Sequence, residues 1–126
     1  MWNYTRNANE MSATNDNNPI SIPVIHADAP GNDNENLNGE YIVIQNSKNE
    51  QIGISNWEIS DAAGYEYTVP TGVTIPAGGE ITVYTGDGED TNSKLYMGAS
   101  RAVWNNNGDT IIIRNEAGEV VIQEKY

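Results

Sequence analysis

Beyond residue 19 no apolar stripe recurs at helical spacing over three turns; apolar residues come in short runs broken by Gly, Asn, Asp and Pro. Ile20 to His26 is β-rich, and Pro23 inside it predicts an edge strand, because proline has no ladder donor. Glu40-Tyr-Ile-Val-Ile-Gln-Asn46 reads as a strong strand and Trp57-Glu-Ile-Ser60 as a short one. Tyr65-Glu-Tyr-Thr-Val69 alternates cleanly, and Glu80-Ile-Thr-Val-Tyr-Thr85 follows the turn Pro76-Ala-Gly-Gly79. Leu95-Tyr-Met97 and Ala102-Val-Trp104 are short pieces. Thr110-Ile-Ile-Ile-Arg114 and Glu119-Val-Val-Ile-Gln123 flank Asn115-Glu-Ala-Gly118, the spacing of a hairpin. Strands this short and this evenly punctuated predict an all-β sandwich or barrel.

A chain of 126 residues has room for one ordinary domain. Phe is absent, so Trp57, Trp104, the tyrosines and the Ile and Val residues must fill the interior. Cys is absent too, which excludes disulfides and thiolate metal sites without choosing a compartment. Eighteen acids against six bases give a net charge of −12. Such a surface repels phosphate backbones and anionic membranes, and suits a cation or a basic partner.

Residues 1–18 are rich in Asn, Ser, Thr and Asp and read as a flexible leader before a domain over 19–126. The alternative is that this leader docks on a sheet edge, its own or a neighbour's. No run approaches the roughly 18 apolar residues of a membrane helix, so no membrane insertion is expected. Residues 1–6 lack the apolar stretch of a signal peptide. The protein is then either cytoplasmic or preceded by a signal or upstream region outside this chain; a polar leader ahead of a surface-type domain favours the second, and hence an extracellular or envelope location.

The order of the motifs carries more than any one of them. Ile25-His-Ala-Asp-Ala-Pro-Gly-Asn-Asp33 precedes the strand over 40–46, followed by Ile54-Ser-Asn-Trp57, Tyr67-Thr-Val-Pro70 and Ile75-Pro-Ala-Gly78. Tyr84-Thr-Gly-Asp-Gly88, Leu95-Tyr96, Val103-Trp-Asn-Asn-Asn-Gly-Asp109 and Glu116-Ala-Gly-Glu-Val120 complete the series. It resembles the lamin tail domain, in its prokaryotic branch, over nearly everything after residue 20. Val69 stands where that family usually has Phe, and Met97 where prokaryotic members often have Trp; both remain apolar. The resemblance implies an immunoglobulin-like β-sandwich of two mainly antiparallel sheets without intrinsic catalysis. It also implies a role in contact or tethering, as in the family's protein and chromatin contacts in animals and its fusions to prokaryotic hydrolases and envelope modules.

Residue chemistry agrees on catalysis. The one histidine, His26, lies in a strand with no thiol to activate, and neither a Gly-x-Ser-x-Gly elbow nor a phosphate loop occurs. His26 reads as a strand residue hydrogen-bonded locally. Carboxylate pairs are too numerous here to single out a glycosidase pair.

The stretch from Asp28 to Glu40 is the most chemical-looking. Asp28, Asp33, Glu35 and Glu40, interleaved with Asn and bent at Gly31 and Gly39, are candidate oxygen ligands for Ca²⁺, though outside EF-hand register. The plainer reading is a loop whose Asn and Asp bond their own backbone, with Glu40 capping loop amides. The acids of Gly86-Asp-Gly-Glu-Asp90 read as solvated and its glycines as turn formers, while an Asn-Gly turn accounts for the surroundings of Asp109. Arg101 and Arg114 each predict a surface ion pair. Trp57 and Trp104 read as core rather than as a sugar-stacking platform. Tyr65 and Tyr67 share one face of their strand, while Tyr84 and Tyr96 lie elsewhere; some tyrosines are available for a recognition patch.

The expected function is therefore a non-catalytic binding or tethering module of an extracellular or envelope-associated prokaryotic protein, with a protein or glycan partner. Homo-oligomeric assembly through sheet edges is the structural alternative, and nucleic-acid association the weakest.

Overall fold

The computed structural model describes residues 4–5, 18–27, 37–99, 103 and 109–126. Eleven strands follow in order: β1 (Tyr4–Thr5), β2 (Ile20–His26), β3 (Tyr41–Asn46), β4 (Ile52–Gly53), β5 (Glu58–Asp61), β6 (Glu66–Thr68), β7 (Thr74–Ile75), β8 (Glu80–Tyr84), β9 (Lys94–Tyr96), β10 (Thr110–Arg114) and β11 (Val120–Lys125). A 3-10 turn, Leu37–Gly39, enters β3. Among the described residues no helix is long and apolar enough to cross a membrane.

Two sheets form the sandwich. One runs β1-β2-β3-β8-β9, the other β11-β10-β5-β6, and β4-β7 make a two-stranded ladder beside them. Pairing is antiparallel throughout except between β8 and β9. Because side chains alternate, β3 sends Ile42 and Ile44 inward, β8 Ile81 and Val83, and β9 Leu95. Ile59 of β5 and Ile111 and Ile113 of β10 meet them from the other sheet. Val69 and Met97 are buried in the same core, filling the two positions where the lamin-tail pattern carries larger rings. The immunoglobulin-like β-sandwich is thus the observed fold. Aliphatic side chains, mostly Ile, supply its fully buried interior, while Trp57 packs against the core half-buried. Trp104 and Arg101 lie outside the described residues.

Pro23 acts differently from the edge-strand expectation. Between Ser21 and Val24 the register of β2 on β3 slips: Ser21 faces Gln45 and Val24 faces Val43, so three steps on β2 match two on β3. That bulge absorbs the residue without a donor and flips the alternation, so Ile20, Ile22 and Ile25 all face the core. Nor is β2 the sheet's edge. Tyr4 and Thr5 of the leader pair with Ile25 and Val24 on its outer side.

Polar pins fix the corners. Asn46 is fully buried; its Nδ2 donates to the carbonyls of Glu50, Ile75 and Pro76 at 2.9–3.1 Å, and its Oδ1 accepts the Lys48 N–H at 2.9 Å. One side chain thereby holds the end of β3, the turn after it and β7 together. In the β10–β11 hairpin, Asn115 Oδ1 accepts from Ala117 and Glu119 N–H, and Gly118 takes the positive φ of 85° that the turn needs. Arg114 forms the expected surface pair with Glu58, at 3.8 Å.

Truncating Asn46 to Ala strands several buried carbonyls, so Asn46→Ala should lose at least about 2 kcal/mol in urea unfolding. A loss below about 0.5 kcal/mol would show that the corner relaxes without its pin.

Candidate functional site

The outward face of the five-stranded sheet carries a row of rings. The register sets His26 opposite Tyr41, Tyr41 opposite Tyr84 and Tyr84 opposite Tyr96, so four aromatic side chains line up across β2, β3, β8 and β9. His26 and Tyr41 stack with centroids 4.9 Å apart and planes 14° apart. Tyr84 and Tyr96 stack at 5.0 Å and 15°, while Tyr41 and Tyr84 tilt by 52° at 5.7 Å. Tyr41, Tyr84 and Tyr96 are half-buried. Tyr84 and Tyr96, which the sequence leaves apart, stand side by side because β9 joins β8 in parallel.

Both ends of the row are held. His26 Nδ1 lies 2.6 Å from the Gly39 carbonyl; a carbonyl only accepts, so Nδ1 carries the hydrogen and donates. At the far end Gly88 rests on Tyr96, where a Cβ would fall onto ring atoms Cδ2 and Cε2. Gly88 belongs to the acidic loop, and Asn38 fastens that loop: its Oδ1 accepts the Gly86 N–H at 2.9 Å and its Nδ2 donates to the Asp87 carbonyl at 2.8 Å. Asp90 Oδ1 accepts the Tyr96 N–H at 3.0 Å. The exposed acids Asp87 and Glu89 therefore flank the Tyr96 end of the row.

A sandwich with this order of motifs can be compared with known families. The family model of the Lamin Tail Domain matches residues 13–126. The chain belongs to the lamin tail domain family. That family is immunoglobulin-like and generally non-catalytic. No curated protein matches the chain.

Of the four carboxylates read as Ca²⁺ ligands, Asp28, Asp33 and Glu35 lie outside the described residues of this lamin tail domain. Glu40 is fully buried, and its Oε1 accepts the Thr85 hydroxyl at 2.7 Å and the Val103 N–H at 2.8 Å. It caps a backbone amide, as the plainer reading has it, but one far along the chain rather than in its own loop. Among the described residues no group of three or more His, Asp or Glu side chains is arranged to hold a metal.

Other acids gather near Glu40 in ways the sequence does not announce. Asp61 Oδ1 accepts the Tyr65 N–H at 2.8 Å, and Asp109 Oδ1 accepts the Thr110 N–H at 2.7 Å. Tyr126 meets this group: burial, then Asp109, Glu40 and Asp61, push its phenol above the ordinary range. These carboxylates are spent on amides and hydroxyls, a structural use of charge-assisted hydrogen bonds. Tyr65 and Tyr67 both pack half-buried against the core. The Tyr67 hydroxyl is enclosed with no hydrogen-bond partner among the described residues. Burial, then Asp90 and Tyr65, push its phenol up to about 12.

Two outcomes follow from these contacts. Gly88→Ala forces the loop or the Tyr96 ring to move, and should cost about 1–3 kcal/mol and alter the near-UV tyrosine circular dichroism. An unchanged midpoint and spectrum would mean the loop does not brace the row. Because the folded state favours the neutral Tyr67 phenol, that contribution is whole below the unfolded value of about 10 and fades as pH rises through about 12. Tyr67→Phe should leave neutral-pH stability unchanged or raise it by about 1 kcal/mol, and should shift alkaline unfolding to higher pH. A clear loss at neutral pH would reveal a partner for that hydroxyl.

Proposed function

We propose that this lamin tail domain is a non-catalytic recognition module of an extracellular or envelope-associated prokaryotic protein, and that it docks a protein partner on the half-buried rings Tyr41, Tyr84 and Tyr96, with the buried His26 backing the row. The row is the observation that carries the reading. Tyrosine gives large, stiff contact area with a polar tip at low entropic cost, which is why it is enriched at protein interfaces. The side chains here are already ordered by stacking, so little freedom remains to be lost on binding.

Ring orientation favours a protein over a glycan. A sugar stacks on an open aromatic face. In this row His26 and Tyr41, and Tyr84 and Tyr96, stack face to face at 4.9 and 5.0 Å, Tyr84 tilts against Tyr41 by 52°, and Gly88 rests on the ring of Tyr96. Edges and hydroxyls remain for a partner. The net charge of −12, with Asp87 and Glu89 beside the row, favours a basic partner whose association weakens with salt. No catalytic activity is assigned: the one imidazole is buried, with its Nδ1 committed to the Gly39 carbonyl.

The test sets immobilised wild-type domain beside the double variant Tyr84→Ala/Tyr96→Ala, against envelope fractions at near-physiological salt. A protein held by the wild type and lost by the variant is expected. Rebinding of that purified protein should weaken by about thirtyfold, the 2 kcal/mol of a tyrosine hot spot. Retention of the same proteins by both, or of glycans alone, would refute the reading.

A further inference from the structure

The chain treats its sheet edges unequally. The outer edge of β2 is occupied by β1. On β9 the outward groups are those of Lys94 and Tyr96, and the preceding loop takes one from each: Thr91 N–H donates to the Lys94 carbonyl at 2.9 Å and Tyr96 N–H to Asp90 Oδ1 at 3.0 Å. On β11, Asn18 Nδ2 caps the Val121 carbonyl at 2.8 Å, and the open half beyond it ends on Lys125. Charged ends and side-chain caps of this sort discourage strand pairing.

Among the described residues the outer edge of β6 has no such cover. Asp61 N–H bonds the Tyr65 carbonyl and Val69 N–H bonds the Trp57 carbonyl, so antiparallel alternation turns the N–H and C=O of Glu66 and Thr68 away from β5. No described residue bonds these outward groups. The surroundings are acidic. Glu66 is exposed on the strand itself, while Asp61 and Asp90 are close enough to Tyr65 and Tyr67 to disfavour their phenolates. Arg114, on β10 of the same sheet, is engaged by Glu58. A groove of about 320 Å³ opens between Gly72–Pro76 and Thr91–Asn92, next in sequence to Asp90, with Thr74, Thr91 and Asn92 on its walls.

We propose that β6 is a strand-addition site for an extended, lysine- or arginine-bearing segment of another protein, which pairs with the backbone of Glu66 and Thr68. Main-chain hydrogen bonds supply the attachment and alternate side chains the selectivity, as in other edge-strand recognition. The acidic flank selects a cationic segment and, with the net charge of −12, disfavours a second copy of this chain. The receiving strand lies on the sheet opposite the tyrosine row, and only Asp90, which also holds the Tyr96 amide, is common to both.

The probe is an alternating Lys–Val hexapeptide, with the Glu–Val hexapeptide as control. With the full chain, saturating Lys–Val peptide should slow amide exchange at Glu66 and Thr68 by about tenfold or more, and Glu–Val peptide should not. Thr68→Pro removes an outward N–H that the fold does not use, so it should abolish binding while the melting temperature holds. Should that variant fail to fold, Glu66→Lys keeps the backbone and should weaken binding about tenfold. The proposal is overturned by absence of protection at millimolar peptide, by equal protection from Glu–Val, or by undiminished binding in the variants. Protection that grows with protein concentration alone would name a second copy as the occupant and overturn it too.

Discussion

The pairing of β3 with β8 is the constraint on which the rest depends. Its register sets Tyr41 against Tyr84, Ile42 against Val83 and Ile44 against Ile81. The pleat has a period of two, so this single alignment puts Ile42, Ile44, Ile81 and Val83 into the dry interior and the tyrosines on the opposite surface. Slipping either strand by one residue would bring the rings inside and the isoleucines out. Core and candidate interface are two faces of one choice, and the burial of aliphatic surface that fixes the first fixes the second. The Asn46 pin at one end of β3 and the buried Glu40–Thr85 hydrogen bond at the other keep that register from sliding.

Acidity shapes the interior as well as the surface. Glu40 and Glu124 are fully buried and Asp61 nearly so. Glu40 and Asp61 are each satisfied by groups from strands far away in sequence or from the next turn, which converts charge into local geometry. Exposed acids do something else. Asp90 anchors the edge of β9 through the Tyr96 amide, and its neighbours stay in solvent beside the rings. One loop thereby closes an edge, backs a ring through Gly88 and sets the sign of the local field.

Much of the fold was legible in the residues because the signals were local. Alternation in residues 40–46 and 80–85, and Asn115 to Gly118 between two β-rich runs, each report on neighbours a few residues apart, and β3, β8 and the β10–β11 hairpin follow them. Long-range matters were not legible. Nothing in the sequence near Leu95 says that β9 lies parallel to β8, yet that arrangement brings Tyr96 to Tyr84. The missing donor of Pro23 points to an edge, whereas a bulge accommodates it with Ile25 facing the core and β1 covers the outer side of β2. Trp57 looked central by size, but isoleucines fill the space between the sheets and leave it at the margin. The Tyr4–Thr5 strand has no local signature, since two residues pair only because an edge is there to receive them.

The tyrosine row shows why composition is a poor guide to ligand class. Neighbouring strands run about 4.8 Å apart, so rings at directly opposed positions touch, stacked in two pairs of this row and tilted by 52° in the middle one. Stacking satisfies their faces before any ligand arrives. A sheet that offers flat aromatic faces to a sugar must instead space its rings across skipped strands or along one strand. Here the rings occupy consecutive strands β2, β3, β8 and β9 at matched register. What such a surface presents is a ridge of ring edges and hydroxyls, stiff, amphipathic and bordered by carboxylates. Protein surfaces offer the carbonyls, amides and basic side chains that complement a ridge of that kind, so register rather than the number of tyrosines decides what this face is built to meet.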